Sequence, residues 1–275
     1  MNRIDRAFRR AKDEGRSALV AYLMAGDPDL RTTEALAVAC ERGGADVLEL
    51  GVPFSDPIAD GPEIQRAGQR ALWAGTRPRD VLDLAARLRA RTEMPLVLMT
   101  YMNPISAMGL ATFADRARDA GVDGVIVPDL SLEESGELRS ALGARGVDTI
   151  PLVAPSTPED RARAIAAAAR GFVYVVARYG TTGVRQDIPT DLGPRLAMLK
   201  RMSPLPLAVG FGVSGPDHVR TLAGLGADGI VVGSAIVAHA ARDPGAEGVE
   251  RLVRSLASGL RPSEPTSPAL RGSSP

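Results

Sequence analysis

Eight short runs of apolar residues, separated by longer amphipathic segments, follow one another along this chain. The runs predict strands at 18–24, 46–50, 95–100, 124–127, 148–153, 172–176, 206–210 and 229–233. Strands that alternate with helices pair in parallel, and continuous apolar character indicates that both of their faces are buried. Eight such units in 275 residues predict a (β/α)8 TIM barrel. The alternative, an open doubly wound sheet, is disfavoured because no GxGxxG follows the first strand.

The two ends of the chain differ in character from the middle. The first segment, IDRAFRRAKDEG (4–15), predicts an extra N-terminal helix that covers the bottom of the barrel. Residues 1–260 contain no linker-like stretch, so we expect one catalytic domain there. Residues 261–275 are rich in Pro and Ser and lack aromatic residues, which predicts a disordered tail.

Charge and apolar composition narrow the class of protein. The 33 basic and 33 acidic residues cancel, so there is no basic excess of the kind that binds nucleic acid or an anionic membrane surface. The N-terminus lacks the apolar run of a signal peptide, and no stretch approaches the ~18 apolar residues of a membrane span. We therefore expect a cytoplasmic protein. The single cysteine, Cys40, lies in an apolar helical pattern and is predicted to be a buried core residue.

In TIM barrels the active site lies where strands end and the following loops begin. The two lysines, Lys12 and Lys200, fall in predicted helices, which disfavours a Schiff-base aldolase. The two histidines, His218 and His239, also fall in helical stretches. With a single cysteine besides, a His- or Cys-rich catalytic metal site is disfavoured, and we predict no metal.

The second predicted strand carries a carboxylate. Because strand side chains alternate, Leu48 and Leu50 share one face while Val47 and Glu49 share the other. If the leucines face the helix layer, Glu49 points into the barrel near its C-terminal rim. Burial would raise the pKa of Glu49, as an acid working near neutral pH requires. A structural ion pair with a neighbouring arginine is the alternative.

The loop after this strand holds two more carboxylates. Asp56 and Asp60 both lie within twelve residues of the strand, and Gly61-Pro62 follows Asp60. Asp60 is the candidate second catalytic carboxylate. The alternative for either aspartate is a role in a turn or as a helix cap.

Two later strands end in glycine. The sequences Gly210-Phe211-Gly212 and Gly233-Ser234 match the loops that cradle phosphate in barrel enzymes, where backbone N–H groups and a helix N-terminus meet the anion. The alternative is that these glycines serve as tight turns. The sixth strand is followed by a polar loop that fits either a lid or a flexible connector. Together these features indicate a metal-independent barrel enzyme that uses carboxylates on a phosphorylated small molecule.

The stretch LELGVPFSDPIADGPEIQ (48–65) resembles the signature of the tryptophan synthase alpha subunit family. Other segments resemble the same family in the same order: AYLMAGDP (21–28), MTYMNP (99–104), VIVPDL (125–130), LVAPSTPEDR (152–161), GFGVS (210–214) and GSAIV (233–237). The resemblance implies a retro-aldol cleavage of indole-3-glycerol phosphate to indole and glyceraldehyde 3-phosphate.

The resemblance also assigns roles to residues by position. Glu49 matches the acid–base that protonates indole C3, and Asp60 matches the residue that hydrogen-bonds the indole N–H. The remaining matches are Tyr22, Met99 and Tyr174 for the pocket wall, Thr182 for the lid contact with Asp60, and Gly183, Gly212, Gly233 and Ser234 for the phosphate.

The family's partner is a pyridoxal-phosphate-dependent beta subunit, which receives the indole through a tunnel for L-tryptophan synthesis in an alpha2-beta2 heterotetramer. The resemblance therefore implies no cofactor in this chain. Asp56 and Asn103 match positions that face the partner.

Two segments depart from the family pattern. The lid reads Gly180-Thr181-Thr182-Gly183 where Gly-Val-Thr-Gly is usual, and Ser131 replaces a proline near the partner. These departures keep open a free-standing indole-3-glycerol phosphate lyase. A non-catalytic, phosphoester-binding regulatory barrel is a further alternative, and the presence of both Glu49 and Asp60 argues against it.

Overall fold

The computed structural model describes residues 1–177 and 188–261, and within these ranges nine strands form one parallel sheet. The strands are β1 Ala18–Met24, β2 Val47–Gly51, β3 Leu96–Met99, β4 Gly124–Ile126, β5 Asp148–Thr149, β6 Leu152–Val153, β7 Val173–Val176, β8 Leu207–Gly210 and β9 Gly229–Val232. They are ordered β5-β4-β3-β2-β1-β9-β8-β7-β6. The tail predicted to be disordered lies, from residue 262 onwards, outside the described residues.

Helices occupy the connections between most of the strands. They are α1 Arg3–Asp13, α2 Leu30–Gly43, α3 Pro62–Trp73, α4 Pro78–Arg89, α5 Met102–Met108, α6 Leu110–Asp119, α7 Gly136–Gly143, α8 Glu159–Ala168, α9 Leu192–Met202, α10 Pro216–Gly224, α11 Ser234–Arg242 and α12 Ala246–Ala257. None of these helices combines the length and the apolar character that crossing a bilayer requires. Cys40 is buried on α2, as predicted.

The two edge strands of the sheet, β5 and β6, follow each other directly along the chain. β5 pairs with β4 and β6 pairs with β7, and only Ile150 and Pro151 separate β5 from β6 along the chain. The predicted single strand 148–153 is therefore two short strands. Pro151, between the two strands, has no N–H to donate to a neighbouring strand. Its carbonyl oxygen still accepts a hydrogen bond from the N–H of Tyr174 at 3.0 Å. The TIM-barrel prediction is confirmed, with this one strand divided between its two neighbours.

The N-terminal helix α1 lies against the inside of the barrel. The Asn2 side chain caps it by accepting a hydrogen bond from the backbone N–H of Asp5, and the Asp5 carboxylate accepts one from the backbone N–H of Asn2. Ile4 and Phe8, one turn apart, are buried and belong to the cluster formed by inward-facing strand residues. The ring of Phe8 lies 5.3 Å from that of Phe172. The predicted extra helix is thus confirmed.

Side-chain alternation along β2 places its carboxylate as predicted. Leu48 and Leu50 belong to the cluster that the strands form with the outer helices, while Val47 belongs to the cluster inside the barrel. Glu49 shares the face of Val47 and lines a pocket within the barrel.

A Gly-Ala-Asp or Gly-Val-Asp step recurs where a helix ends and a strand begins. It occupies 44–46, 121–123, 146–148 and 226–228, and all four glycines have positive φ, between +69° and +103°. Three of the aspartates accept a backbone N–H from the neighbouring strand at 2.9 Å: Asp46 from Leu19, Asp123 from Leu96 and Asp228 from Leu207. These bonds fix neighbouring strands at the bottom of the barrel, and so they set where the strands end at the top.

Candidate active site

One pocket opens at the C-terminal ends of the strands, with an empty volume of about 480 Å³. Its lining residues are Tyr22, Glu49, Ala59, Asp60, Ile64, Met99, Tyr174, Gly210, Phe211, Gly212, Val231, Gly233 and Ser234. The pocket therefore brings together all the candidate substrate-contacting residues that the structure describes. Thr182 and Gly183 lie outside the described residues.

Glu49 is buried, and it finds no hydrogen-bonding partner in the part of the chain that the structure describes. It stands on β2 beside Tyr22 of β1, its relative exposure is 1 %, and neither carboxylate oxygen has a partner among the residues described. Burial raises the pKa of Glu49 to about 8, and the negative charge of Asp60 adds to the shift. At neutral pH Glu49 therefore holds a proton. No arginine pairs with it within the described ranges, so the ion-pair alternative finds no support there.

Asp60 lies just before α3, on the loop that follows β2. It does not cap that helix, because the N-cap residue is Gly61. Burial raises the pKa of Asp60 to about 6. A hydrogen bond with the Tyr101 hydroxyl acts in the opposite direction, because it lowers the pKa, but its effect is the smaller one. Near neutral pH the pocket therefore holds one protonated and one ionised carboxyl group. Two carboxyls with separated pKa values suit an acid and a charge-stabilising anion.

Tyr101 supports this loop, and the sequence reasoning did not single it out. Its ring packs against Phe54 with 5.2 Å between the ring centroids, and its hydroxyl accepts the N–H of Ala59 at 3.1 Å. The same hydroxyl hydrogen-bonds Asp60. Tyr101 comes directly after the third predicted strand, so its place at a strand end was the available signal.

Two tyrosines flank Glu49 inside the barrel. A Cβ added at Gly51 would overlap the Tyr22 hydroxyl, and one added at Gly210 would overlap the Tyr174 hydroxyl. Burial raises the pKa of both phenols well above the ordinary value of 10, and the charges of Glu49 and Asp60 add to the shift. Each hydroxyl is therefore neutral and lies over the glycine that ends the neighbouring strand.

The other end of the pocket presents backbone. Gly212 follows β8 with a φ of +75°, and Gly233 directly precedes the first residue of α11, the buried Ser234. The first N–H groups of a helix have no partner within the helix. A pocket with carboxyl groups at one end and such donors at the other fits a substrate with an uncharged ring and a phosphate. Among the described residues, no cluster of three or more His, Cys, Asp or Glu could hold a metal ion.

The predicted partner-facing residues lie outside the pocket. Asp56 and Asn103 are exposed, and Ile58, two residues after Asp56, is 75 % exposed. The loops that carry them are connected, because the Asp129 carboxylate accepts the N–H of Met102 at 3.0 Å and Tyr101 bonds the loop after β2. We call the exposed residues Asp56, Ile58, Asn103 and Asp129 the β2–β4 rim.

Comparison with known proteins identifies the family. The family model of the tryptophan synthase alpha chain matches residues 8–260. The tryptophan synthase alpha chain of Synechococcus elongatus is 46 % identical over 256 residues, which cover 93 % of this chain and 96 % of the relative. That of Caldanaerobacter subterraneus is 46 % identical over 88 % of this chain and 92 % of the relative.

Solved structures agree with the sequence relatives. The structure of Mycobacterium tuberculosis tryptophan synthase matches with a TM-score of 0.88 and 36 % identity, over 94 % of this chain and 98 % of the matched chain. Tryptophan synthase subunit alpha from Legionella pneumophila matches with a TM-score of 0.86 and 36 % identity over the same shares. The barrel, the order of the motifs and these matches agree, and the chain belongs to the tryptophan synthase alpha chain family.

Proposed function

We propose that this chain cleaves indole-3-glycerol phosphate to indole and glyceraldehyde 3-phosphate, the reaction of its family, with Glu49 as the acid–base and Asp60 as the stabilising anion. The observation that carries this assignment is the burial of Glu49 with no hydrogen-bonding partner among the described residues, with its pKa raised to about 8, in the same pocket as Asp60. The proposed catalytic domain spans residues 1–260.

The proposed reaction leaves Glu49 protonated again at its end, although the proton has come from the substrate. Protonated Glu49 gives its proton to C3 of the indole ring, and the ring becomes positively charged. Asp60 stabilises that charge by accepting a hydrogen bond from the indole N–H. The Glu49 carboxylate then takes the proton of the hydroxyl group on the carbon attached to C3. The C–C bond breaks, its electron pair restores the indole ring, and the hydroxyl carbon becomes the aldehyde of glyceraldehyde 3-phosphate.

The remaining pocket residues divide between the ring and the phosphate. Tyr22, Met99 and Tyr174 form the apolar wall that holds the indole ring. The phosphate accepts hydrogen bonds from backbone N–H groups at Gly212, Gly233 and Ser234, and the Ser234 hydroxyl adds a donor. By family position, Thr182 contacts Asp60 on substrate binding and Gly183 adds a further phosphate donor.

We also assign a partner to the β2–β4 rim, namely a tryptophan synthase beta subunit in an alpha2-beta2 heterotetramer. The rim is exposed, it carries an apolar side chain beside charged ones, and it lies next to the Asp60 loop. Indole formed in the barrel would pass to that subunit for L-tryptophan synthesis. This chain needs no cofactor of its own, pyridoxal phosphate belongs to the beta subunit, and the complex works in the cytoplasm.

The test is the release of indole from indole-3-glycerol phosphate by the purified chain, alone and with a beta subunit. We expect slow release that rises strongly when the partner is added, and a loss of 10²-fold or more, roughly the lower limit for an acid–base group, in Glu49→Gln. Glu137→Gln, an exposed carboxyl group on α7, is the matched control and should leave the rate unchanged.

Three other outcomes would contradict parts of this proposal. Full activity without any response to the beta subunit would establish the free-standing lyase. Binding of the substrate without release of indole would favour the regulatory barrel. Full activity in Glu49→Gln would show that the acid is another residue.

A further inference from the structure

A histidine outside the pocket contacts both sides of the loop that we assign to the phosphate. This phosphate loop, residues 211–214, connects β8 to α10. His218 lies in the first turn of α10, and its ring meets the ring of Phe211 edge-on, with 5.9 Å between centroids and 68° between planes. Its Nδ1 lies 3.2 Å from the Ser214 hydroxyl oxygen. Gly212 stands between these two contacted residues.

The conformation of Gly212 explains why such contacts matter. Its φ of +75° is a left-handed conformation that glycine adopts without strain, but glycine also has the most backbone freedom to lose. A backbone N–H that must point at an anion therefore depends on how the flanking residues are held. Val213 is buried, which fixes one residue of the loop. His218 adds contacts to the residue before Gly212 and to the second residue after it.

The bond between His218 and Ser214 does not require one protonation state. A serine hydroxyl donates to an unprotonated ring nitrogen and accepts from a protonated one. His218 also does not line the pocket, so it does not reach the reacting atoms. Its contribution is to the position of the loop and not to proton transfer.

We propose that His218 is a positioning residue for the substrate's phosphate, because it holds the phosphate loop in the conformation that aims the backbone N–H groups around Gly212. The inference rests on the proposed function, which assigns this loop to the phosphate. Its direct consequence is that losing His218 weakens phosphate binding more than it slows the chemical step.

The experiment compares His218→Ala and Ser214→Ala with the unaltered chain, assayed with the beta subunit present. We expect His218→Ala to raise KM for indole-3-glycerol phosphate and the inhibition constant of inorganic phosphate by the same factor, roughly three- to tenfold. kcat should stay within about twofold, because the acid–base pair is untouched. Ser214→Ala keeps the ring contact, so its effect should be in the same direction and smaller.

The control is Asp217→Asn, at the neighbouring exposed residue, whose side chain pairs with Arg220. It should leave both constants unchanged. Thermal unfolding of each variant shows whether the chain is folded, and the surface variant Ser214→Ala tests the idea even if His218→Ala does not fold.

The results separate this inference from the function on which it rests. Unchanged phosphate inhibition in both variants, or a fall in kcat alone, would overturn the role of His218. If inorganic phosphate does not inhibit the unaltered chain, the phosphate site itself is wrongly assigned and the proposed function fails first.

Discussion

The two carboxyl groups of the pocket differ in charge because their surroundings differ. Glu49 has no hydrogen-bonding partner among the described residues, whereas Asp60 has the Tyr101 hydroxyl. The environment thus sets their pKa values about two units apart, near 8 and near 6. The alternation of side chains along the predicted strand was enough to single out Glu49 from the sequence. Only the folded structure shows that the loop after β2 brings Asp60 close enough to raise the pKa of Glu49.

These pKa values predict a bell-shaped pH dependence. kcat/KM for indole formation should rise as Asp60 ionises through about 6 and fall as Glu49 loses its proton through about 8. The two limbs belong to the coupled pair. The measurement is initial rate at low substrate from pH 5 to 10. Asp60→Asn should remove the acid limb, and a rate that stays constant up to pH 10 would contradict the role of Glu49 as the acid.

The raised pKa of Glu49 also predicts how stability depends on pH. The folded chain keeps this proton up to about pH 8, whereas the unfolded chain loses it near its ordinary value of 4.5. Stability therefore falls between these values, by an amount on the order of a few kcal/mol. Glu49→Gln cannot ionise, so its gain in Tm over the unaltered chain should be larger at pH 8.5 than at pH 5.

The exposed variant Glu137→Gln is the reference for this measurement, because its side chain is in solvent. Its Tm difference from the unaltered chain should not depend on pH. A Glu49→Gln difference that is equally flat would mean that Glu49 ionises normally in the folded chain.

At the scale of elements, the sequence located the strands well and the connections less well. Apolar runs predicted the strands because a strand buried on both faces must be apolar throughout. They did not predict the division of 148–153, since that depends on which neighbour each half pairs with. Tyr101 was missed for a similar reason. Its contacts with Ala59 and Phe54 form only because the loop after β2 folds back over the end of β3.

The aspartates at the bottom of the barrel should differ in how much they contribute to the free energy of unfolding. Asp123 is buried and accepts from Leu96 N and from Arg89, whereas the side chain of Asp228 is 35 % exposed. Removing one partner of a buried ion pair costs about 3–5 kcal/mol, so Asp123→Ala should lower the free energy of unfolding by roughly that amount. Asp228→Ala should cost clearly less, because water replaces part of its contacts.

Urea unfolding of both variants provides the measurement. Asp123→Asn is the informative third variant, since its amide oxygen can still accept the Leu96 N–H while the charge is lost. Its cost should fall between that of Asp123→Ala and zero. If Asp123→Ala and Asp228→Ala lower the free energy of unfolding equally, then burial does not determine how much these hydrogen bonds contribute to stability.

At the scale of the molecule, stability and chemistry occupy opposite ends of the barrel. The ion pairs of α1, such as Arg10 with Asp46, lie at the bottom, while the carboxyl pair and the glycine loops lie at the top. The β2–β4 rim is at the top as well, on the loops next to Asp60. A product formed in the pocket therefore forms beside the surface that we assign to the beta subunit, which is the arrangement needed to pass indole between two proteins.

Two exposed apolar side chains near the ends of α3 provide a matched pair for testing that surface. Ile58, on the rim, is 75 % exposed, and Trp73, at the far end of α3, is 78 % exposed. Apolar anchors at the centre of an interface often contribute more than 1 kcal/mol each. Ile58→Ser should therefore raise the Kd for the beta subunit by about tenfold, whereas Trp73→Ser should leave it unchanged. Titration calorimetry with the beta subunit measures both. If Trp73→Ser weakens the complex and Ile58→Ser does not, the partner binds the α3 side of the barrel and the rim is wrongly assigned.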